Sequence, residues 1–231
     1  MRLYKVFQEF WFINDDAENL ALIHVESFLS QTSEEKFTSS AGNEITKEKI
    51  YNLLKPNTWL CDQIVNISIE AIKSNNSQIQ LTDTFFFAEL NSVKERLSSL
   101  KWAAILNSSK TWVIPVNLDL HWSLILLHNR ENGIDIECWD SLPTQARLDK
   151  IKSQLISSYN KYSKTAKAFS ISYNDECYIQ QDHSNCGTFL IANIFAYAYN
   201  KKPCNLDLHI SRIAIARMIV SVVEPARIPF L

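Results

Sequence analysis

The stretch "QQDHSNCGTFLIANIFAYAYN", residues 180–200, joins a polar heptapeptide to a segment that is apolar on almost every side. A helix that is hydrophobic all round has no face for water and must lie inside a core. The pattern therefore predicts a buried central helix from about Cys186 to Tyr199, with the cysteine in its first turn. The rest of the chain must supply enough apolar elements to enclose it.

Cys186 is a candidate nucleophile because of this position. Unpaired backbone N–H groups and the positive end of the helix dipole favour a thiolate at the start of a helix. Ser184 or Asn185 is expected to cap the helix, and Gly187, one of only three glycines, would leave room for a substrate backbone. Taken alone, however, Cys186 is better explained as a small buried side chain, so a catalytic role requires a partner base.

A base and an acid are placed by three predicted strands, 111–117, 121–129 and 134–140, which together predict a β-meander. His121 begins the second of these strands and Asp140 ends the third. Antiparallel pairing would bring the two side chains together as general base and orienting acid. Taken singly, each has a structural explanation, since a strand-end histidine often packs and an Asp before "SLP" often forms a turn.

Helices flank this run of strands. Apolar residues at helical spacing predict helices over 47–55, 61–75 and 146–162, and 166–174 is typical of a further strand. This arrangement favours the α+β class. The polar stretch 30–49, which contains Gly42, predicts a boundary near residue 45 between an N-terminal extension, 1–45, and a main domain, 46–231.

Composition excludes several kinds of partner. The 231 residues are 46% hydrophobic and carry a net charge of −2, with no Lys/Arg cluster typical of nucleic-acid or lipid binding. The longest apolar stretch, Phe189–Tyr199, is shorter than the roughly 20 residues that a membrane-spanning helix needs. No signal-peptide pattern follows the first residues, so we expect an intracellular protein with no nucleic-acid or membrane partner.

The five cysteines are too few for the disulfide framework of a small secreted domain, so a reducing compartment is expected. Five cysteine and histidine side chains that could bind zinc lie close in sequence: Cys177, His183, Cys186, Cys204 and His209. Their spacing matches no common zinc motif and includes no CxxC pair. We therefore expect neither a metal nor an organic cofactor.

Four blocks of the sequence carry a resemblance to a known family. They are "WLCDQIVN" (59–66), "WVIPVNLDLHWSLILL" (112–127), "CWDSL" (138–142) and "QQDHSNCGTFLIAN" (180–193). In order and spacing they resemble the Ulp/SENP family of ubiquitin-like-protein-specific cysteine proteases. The resemblance implies a papain-like α+β fold with a mixed or antiparallel central sheet, which presents His and Asp opposite the helix that presents Cys.

The same resemblance implies roles for individual residues. His121 corresponds to the general base, Asp140 to its orienting acid and Cys186 to the nucleophile. Gln180, six residues before the cysteine, corresponds to the glutamine of the oxyanion hole. Gln181 is a weaker candidate for that role because its spacing is off by one.

Substrate contacts are implied as well. Trp59 and Trp122 match tryptophans that line a narrow channel for a Gly-Gly tail, with core packing as the alternative, and Asp62 matches an acidic residue of the first block. Two positions depart from the family pattern, with Cys61 where Asn is usual and Asn185 where Asp is usual. The second departure removes a carboxylate next to the thiolate.

The function implied is that of a thiol isopeptidase, which releases ubiquitin or a ubiquitin-like modifier such as SUMO or the neddylation modifier. The N-terminal segment, which matches no block of the family, and the two departures suggest a divergent member and favour ubiquitin. We expect a monomer in the cytoplasm or nucleus, or in the host cytoplasm if the protein is a bacterial effector. The alternatives are a protein acetyltransferase of the related effector type, which usually has Glu as the acid, and a catalytically silent module that binds a modifier.

Overall fold

The computed structural model describes residues 15–72, 78–92, 95–163, 166–201 and 208–223. They form two compact units. Of the described residues, the first unit contains 15–72, 182–191 and 208–223, and the second contains the remainder. Within these ranges, no helix has the length and hydrophobicity needed to cross a membrane.

The first unit consists of helices and a short hairpin. Its complete elements are α1 (Asp15–Gln31), β1 (Lys36–Thr38), β2 (Glu44–Thr46), α2 (Lys47–Leu54), α3 (Asp62–Ile72) and α8 (Leu208–Val223). The last helix packs against α1, α2 and α3. Its buried side chains include Ile213, Ile215, Ile219 and Val220, so α8 forms the centre of this unit's core.

The hairpin of β1 and β2 spans the predicted boundary near residue 45. The two strands pair antiparallel, with Phe37 opposite Ile45, and both side chains are buried. Glu70 of α3 holds the intervening turn, because its carboxylate accepts hydrogen bonds from Ser39, Ser40, Ala41 and Asn43. The division at residue 45 stays a prediction, and residues 1–14 of the predicted extension lie outside the described residues.

The second unit contains a five-stranded mixed sheet. Its strands are β3 (Ile79–Leu81), β4 (Thr111–Leu118), β5 (His121–Asn129), β6 (Gly133–Trp139) and β7 (Ala168–Tyr173), and they lie in this order. The three central strands pair antiparallel and confirm the predicted meander. Both edge strands pair parallel with their neighbours.

Three helices lie entirely within this unit: α4 (Phe86–Leu90), α5 (Glu95–Leu106) and α6 (Gln145–Tyr162). The predicted apolar face of α6 is buried through Leu148, Ile151, Leu155 and Tyr159. It packs against α5, where the indole N–H of Trp102 donates to the Ser158 hydroxyl at 2.8 Å. This bond satisfies the one polar group that a buried tryptophan brings into a core.

Helix α7 extends over Cys186–Ala198. Its large side chains are buried on several faces: Phe189, Leu190, Ile191, Ile194 and Phe195. The prediction of a buried helix that begins at the cysteine is therefore confirmed. Residues up to Ile191 belong to the first unit and those from Ala192 to the second.

Candidate active site

His121 and Asp140 lie side by side at one end of the sheet. His121 is the first residue of β5, and Asp140 directly follows β6, which pairs antiparallel with β5. His121 Nε2 is 2.7 Å from Asp140 Oδ1, and both side chains are buried. The proximity predicted from the strand pattern is confirmed.

Burial opposes ionisation of Asp140, but hydrogen bonds from His121, Leu142 and Arg147 outweigh it and hold the pKa of this carboxyl below its usual value. Leu142 N donates to Oδ1 at 2.8 Å, and Arg147 Nη1 donates to Oδ2 at 2.7 Å. An ionised carboxylate only accepts hydrogen bonds. His121 Nε2 therefore carries a proton, and in the neutral ring Nδ1 carries the lone pair.

Arg147 was not predicted from the sequence, although a signal exists. Thr144 caps α6 by accepting a bond from Arg147 N, which places Arg147 in the first turn. A positive side chain is unfavourable at the positive end of a helix dipole. Its presence there is explained by Asp140 and by the carbonyl of Leu142, which Arg147 also binds at 2.7 Å.

Gln180 is anchored beside Asp140 through Ser141. Gln180 N donates to the Ser141 carbonyl at 2.8 Å, and the Ser141 hydroxyl donates to Gln180 Oε1 at 2.7 Å. Because the oxygen and nitrogen of a carboxamide point in opposite directions, this bond orients the N–H donors of Gln180 away from Ser141. Gln181, the alternative, is exposed, and its amide nitrogen donates to the Ile179 carbonyl.

Cys186 is 4% exposed and begins α7 in the first unit. The loop before it is organised by Asp182, whose carboxylate accepts bonds from Ser184 N at 2.7 Å and Asn185 N at 2.9 Å. Burial opposes ionisation of Asp182, but these bonds and one from the Asn185 side chain lower its pKa. Asp182 thus supplies a carboxylate near the nucleophile, which Asn185 itself lacks, and the sequence analysis missed it.

Arg212 of α8 is a second missed residue, and it holds Asn185. Arg212 is 2% exposed, and its guanidinium donates from Nε and Nη2 to Asn185 Oδ1 at 3.0 and 2.6 Å. Nη1 and Nη2 also donate to the carbonyls of Leu53 and Thr58. Burial lowers the Arg212 pKa, whereas the charge of Asp182 raises it. The Asn185 side chain therefore bonds Arg212 and Asp182, which differs from the expected helix cap.

Gly187 has a different role from the predicted one. A Cβ placed on it would lie 2.7 Å from Leu60 Cβ, much closer than real side chains approach. Leu60 belongs to the predicted "WLCD" block and is buried. The glycine is required by close packing against Leu60, and the space expected for a substrate is occupied.

The predicted substrate residues differ in exposure. Trp59 is 54% exposed in the first unit, whereas Trp122 is only 4% exposed in the second. Asp62 is half-buried at the start of α3. The burial of Trp122 fits the core-packing alternative. Its role in a channel with Trp59 stays a prediction, as does the position of Cys186 relative to His121.

Two of the other thiols, Cys138 and Cys177, are poor candidates for a nucleophile. Burial raises the pKa of Cys177 to about 12 and that of Cys138 still further, so both remain protonated. In the part of the chain that the structure describes, no three His, Cys, Asp or Glu side chains are arranged to bind a metal. Cys204 and the side chain of His209 lie outside the described residues.

Comparison with known proteins identifies the family. The profile of the Ulp1 protease family, C-terminal catalytic domain, matches residues 58–219, which is well over half of the chain. The chain belongs to the Ulp1 protease family. The matched range includes all the residues predicted for the site, from Trp59 to Cys186, together with Arg212.

A curated plant protein is also similar to this chain in sequence. An Arabidopsis thaliana protein named as a ubiquitin-like-specific protease 1B is 25% identical over 205 residues. The alignment covers 78% of this chain and 59% of the Arabidopsis protein. The chain therefore spans about three-fifths of the length of this curated relative.

Two solved structures share the fold of this chain. The C-terminal Ulp1 protease domain in complex with Smt3, the yeast ortholog of SUMO, has a TM-score of 0.67 at 18% identity, covering 90% of this chain and 96% of that one. The Xanthomonas campestris effector XopD bound to ubiquitin has a TM-score of 0.53 at 16% identity, covering 71% and 92%. The predicted α+β fold and the predicted family are both confirmed.

Proposed function

We propose that this chain is a thiol protease that cleaves ubiquitin or a ubiquitin-like modifier after its C-terminal Gly-Gly, through an acyl-enzyme on Cys186. The observation that carries the proposal is the buried hydrogen bond between His121 Nε2 and Asp140 Oδ1. The chain belongs to a protease family, and Cys186 begins a buried helix. Support for the substrate class comes from relatives solved with a SUMO ortholog and with ubiquitin.

In the first step, His121 Nδ1 accepts the proton of the Cys186 thiol, and the sulfur forms a bond to the carbonyl carbon of the last glycine. Asp140 stabilises the imidazolium that results, because its carboxylate already accepts from Nε2. The negative oxygen of the tetrahedral intermediate is bound by the backbone N–H of Cys186 and by Gln180 Nε2. A donor of this kind contributes on the order of 3 kcal/mol.

The second step releases the lysine. His121 returns its proton to the departing ε-amine as the C–N bond breaks, which leaves the modifier as a thioester on Cys186. A water molecule then gives a proton to His121 and attacks the thioester carbonyl. The C–S bond breaks and the thiol is restored, so the cycle consumes one water and requires neither a metal nor an organic cofactor.

The remaining predictions belong to the same proposal. Trp59 and Trp122 flank the extended Gly-Gly tail, and Asp62 contacts the substrate beside it. The enzyme acts as a monomer inside the cell, in the cytoplasm or nucleus, or in the cytoplasm of a host if the protein is delivered by a bacterium.

Electrophilic probes test nucleophile and substrate together. Ubiquitin, SUMO and the neddylation modifier, each carrying a C-terminal electrophile, place a reactive carbon where the scissile carbonyl would lie. At least one should label Cys186, as located by mass spectrometry of the adduct. Cys186→Ala should abolish labelling, whereas Cys61→Ala, a matched change of a half-exposed thiol, should not.

Two further pairs of variants separate the roles. His121→Ala should slow labelling steeply because the thiol loses its base, whereas His128→Ala, at the far end of β5, should not. Gln180→Ala should keep most of the labelling but reduce isopeptide turnover by roughly 100-fold, because the oxyanion forms only during carbonyl attack. Gln181→Ala is its matched control. Labelling of another cysteine, or none by any probe on folded protein, would overturn the proposal.

A further inference from the structure

The turn between β4 and β5 is strained. Leu118 pairs with His121, so only Asp119 and Leu120 form the turn. Both have positive φ, 54° and 61° respectively. Such two-residue turns favour Asn-Gly or Asp-Gly, because glycine adopts the left-handed conformation without a steric penalty. A leucine at the second position is disfavoured by its own Cβ.

Leu120 is also poorly placed with respect to water. It is 73% exposed, which is the highest value among the large apolar side chains that the structure describes. Glycine would relieve the backbone strain, and a polar side chain would be better hydrated. Leu120 therefore combines a disfavoured backbone conformation with an exposed apolar side chain, and residues held in such conformations cluster at functional sites.

The position of this leucine is well defined. The turn is closed by eight paired residues on each of β4 and β5, and Lys150 of α6 binds the Asp119 carboxylate at 2.6 Å. Leu120 is one peptide bond from His121, whose ring is held by Asp140. The backbone that carries the apolar side chain is therefore held in place beside the histidine.

We propose that Leu120 is a specificity-determining contact for the acceptor protein, packing against an apolar side chain next to the modified lysine. This inference rests on the proposed function, in which His121 protonates the departing lysine amine. A group that protonates the leaving amine borders the leaving side of the scissile bond. Leu120 and Trp122 adjoin His121 on opposite sides along the chain. With Trp122 assigned to the Gly-Gly tail, the exposed Leu120 is the neighbour placed to contact the acceptor.

The test compares substrates that share the acyl side and differ in the leaving side. Ubiquitin and SUMO are each joined through an isopeptide bond to a peptide lysine flanked by leucine, or to the same peptide with serine in place of that leucine. A third substrate is the modifier with a C-terminal methyl ester, which has no acceptor chain. The wild-type protein should prefer the leucine-flanked peptide.

Two variants, Leu120→Gly and Leu120→Asn, suit the left-handed backbone and remove the apolar contact. Each should lower kcat/KM for the leucine-flanked peptide by about tenfold and leave the ester and the serine-flanked peptide within about twofold of wild type. Leu120→Gly should keep or raise the Tm. The matched control for Leu120→Ala is Leu100→Ala, which removes the same side chain at another exposed position, on α5.

The outcomes are distinguishable. If the wild-type protein cleaves no substrate, the proposed function fails and this inference fails with it. If it cleaves them and the Leu120 variants reduce all three substrates equally, Leu120 contacts the modifier or supports the site, and the inference is wrong. An unchanged preference for the leucine-flanked peptide, or a lowered Tm in Leu120→Gly, would overturn it as well.

Discussion

The second unit holds its candidate residues by direct charge contacts. The Asp140 carboxylate accepts from the His121 ring on one oxygen and from Arg147 on the other. A base that becomes an imidazolium during the reaction needs a negative charge beside it. Placing that charge in a buried position, where it is poorly screened, makes the interaction strong.

The first unit fixes the loop before Cys186 through a neutral side chain and not through a direct contact between charges. Asn185, which precedes Cys186, is neutral and lies between two charged groups, Asp182 and Arg212. A carboxylate directly beside a sulfur would disfavour the thiolate, and here the negative charge is moved to Asp182. The comparison teaches that a base is prepared by direct pairing with an opposite charge, whereas the loop before the nucleophile is fixed through a neutral amide.

The largest effect is expected from neutralising Asp140. Asp140→Asn keeps the shape but allows the ring of His121 to adopt the wrong tautomer, so kcat/KM for isopeptide cleavage should fall by roughly 1,000-fold. The matched change Asp182→Asn acts through a neutral residue and should cost no more than about tenfold. Steady-state cleavage of the preferred modifier conjugate measures both. Equal losses would mean that the two carboxylates do not differ in role.

The pH dependence of the free energy of unfolding tests whether Asp140 is held in its ionised form. Because the folded pKa of Asp140 lies below its ordinary value of 3.8, its contribution to stability is present above that pH and is lost as the pH falls further. Urea unfolding of the wild type between pH 3 and 5 should show this decline. Asp140→Asn should show a shallower one, and identical slopes would contradict the direction given for Asp140.

Arg212→Met should have the largest effect on folding. It leaves the buried oxygens of Asn185, Leu53 and Thr58 without their donor, so the free energy of unfolding should fall by about 3–5 kcal/mol. Arg147→Met is the counterpart in the second unit and should cost about 1–2 kcal/mol, because Asp140 keeps its bonds from His121 and Leu142. Urea unfolding measures both variants, and a smaller loss for Arg212→Met would reverse the comparison.

A double-mutant cycle examines the neutral amide itself. Asn185→Asp provides a carboxylate for Arg212 but sets it against Asp182, whose Oδ2 now accepts from Asn185 Nδ2 at 2.9 Å. Adding Asp182→Asn removes that repulsion. The two changes together should be more favourable than their sum by about 1–3 kcal/mol. Additive effects in urea unfolding of the four proteins would show that Asp182 and Asn185 do not interact.

Much of the second unit was predictable because its signals are local. The strands that position His121 and Asp140 are long, apolar and separated by short turns, so pairing follows from their order in the chain. Strand β3 was missed because it has only three residues. The hairpin of β1 and β2 was missed because its stretch is polar and buries only Phe37 and Ile45 among its strand residues.

The first unit shows why the rest was not predictable. Arg212 lies more than 150 residues from Leu53 and Thr58, the carbonyls of which it binds. A single sequence carries no record of such a distant pairing, although an arginine among the apolar residues of α8 indicates that a buried partner exists. Gly187 was assigned to the substrate for the same reason, since its neighbour Leu60 is distant in sequence.

The smallest effect on folding is expected at Trp59, and it separates substrate contact from packing. Because this side chain is largely exposed, Trp59→Ala should change the free energy of unfolding by less than about 0.5 kcal/mol. The same change at buried Trp122 would cost about 3–5 kcal/mol, so loss of activity there is uninformative. Tyr51→Ala, at another exposed aromatic residue of the first unit, is the matched control.

If Trp59 flanks the Gly-Gly tail, Trp59→Ala should lower kcat/KM for a Gly-Gly substrate by about tenfold or more, while Tyr51→Ala leaves it unchanged. Wild-type protein should also cut poorly a modifier whose penultimate glycine is changed to alanine, since a Cβ would meet the indole, and Trp59→Ala should narrow that difference. The narrowing is the decisive observation, because a purely structural tryptophan would reduce cleavage of both tails alike. Equal discrimination in the variant and the wild type would remove Trp59 from the substrate site.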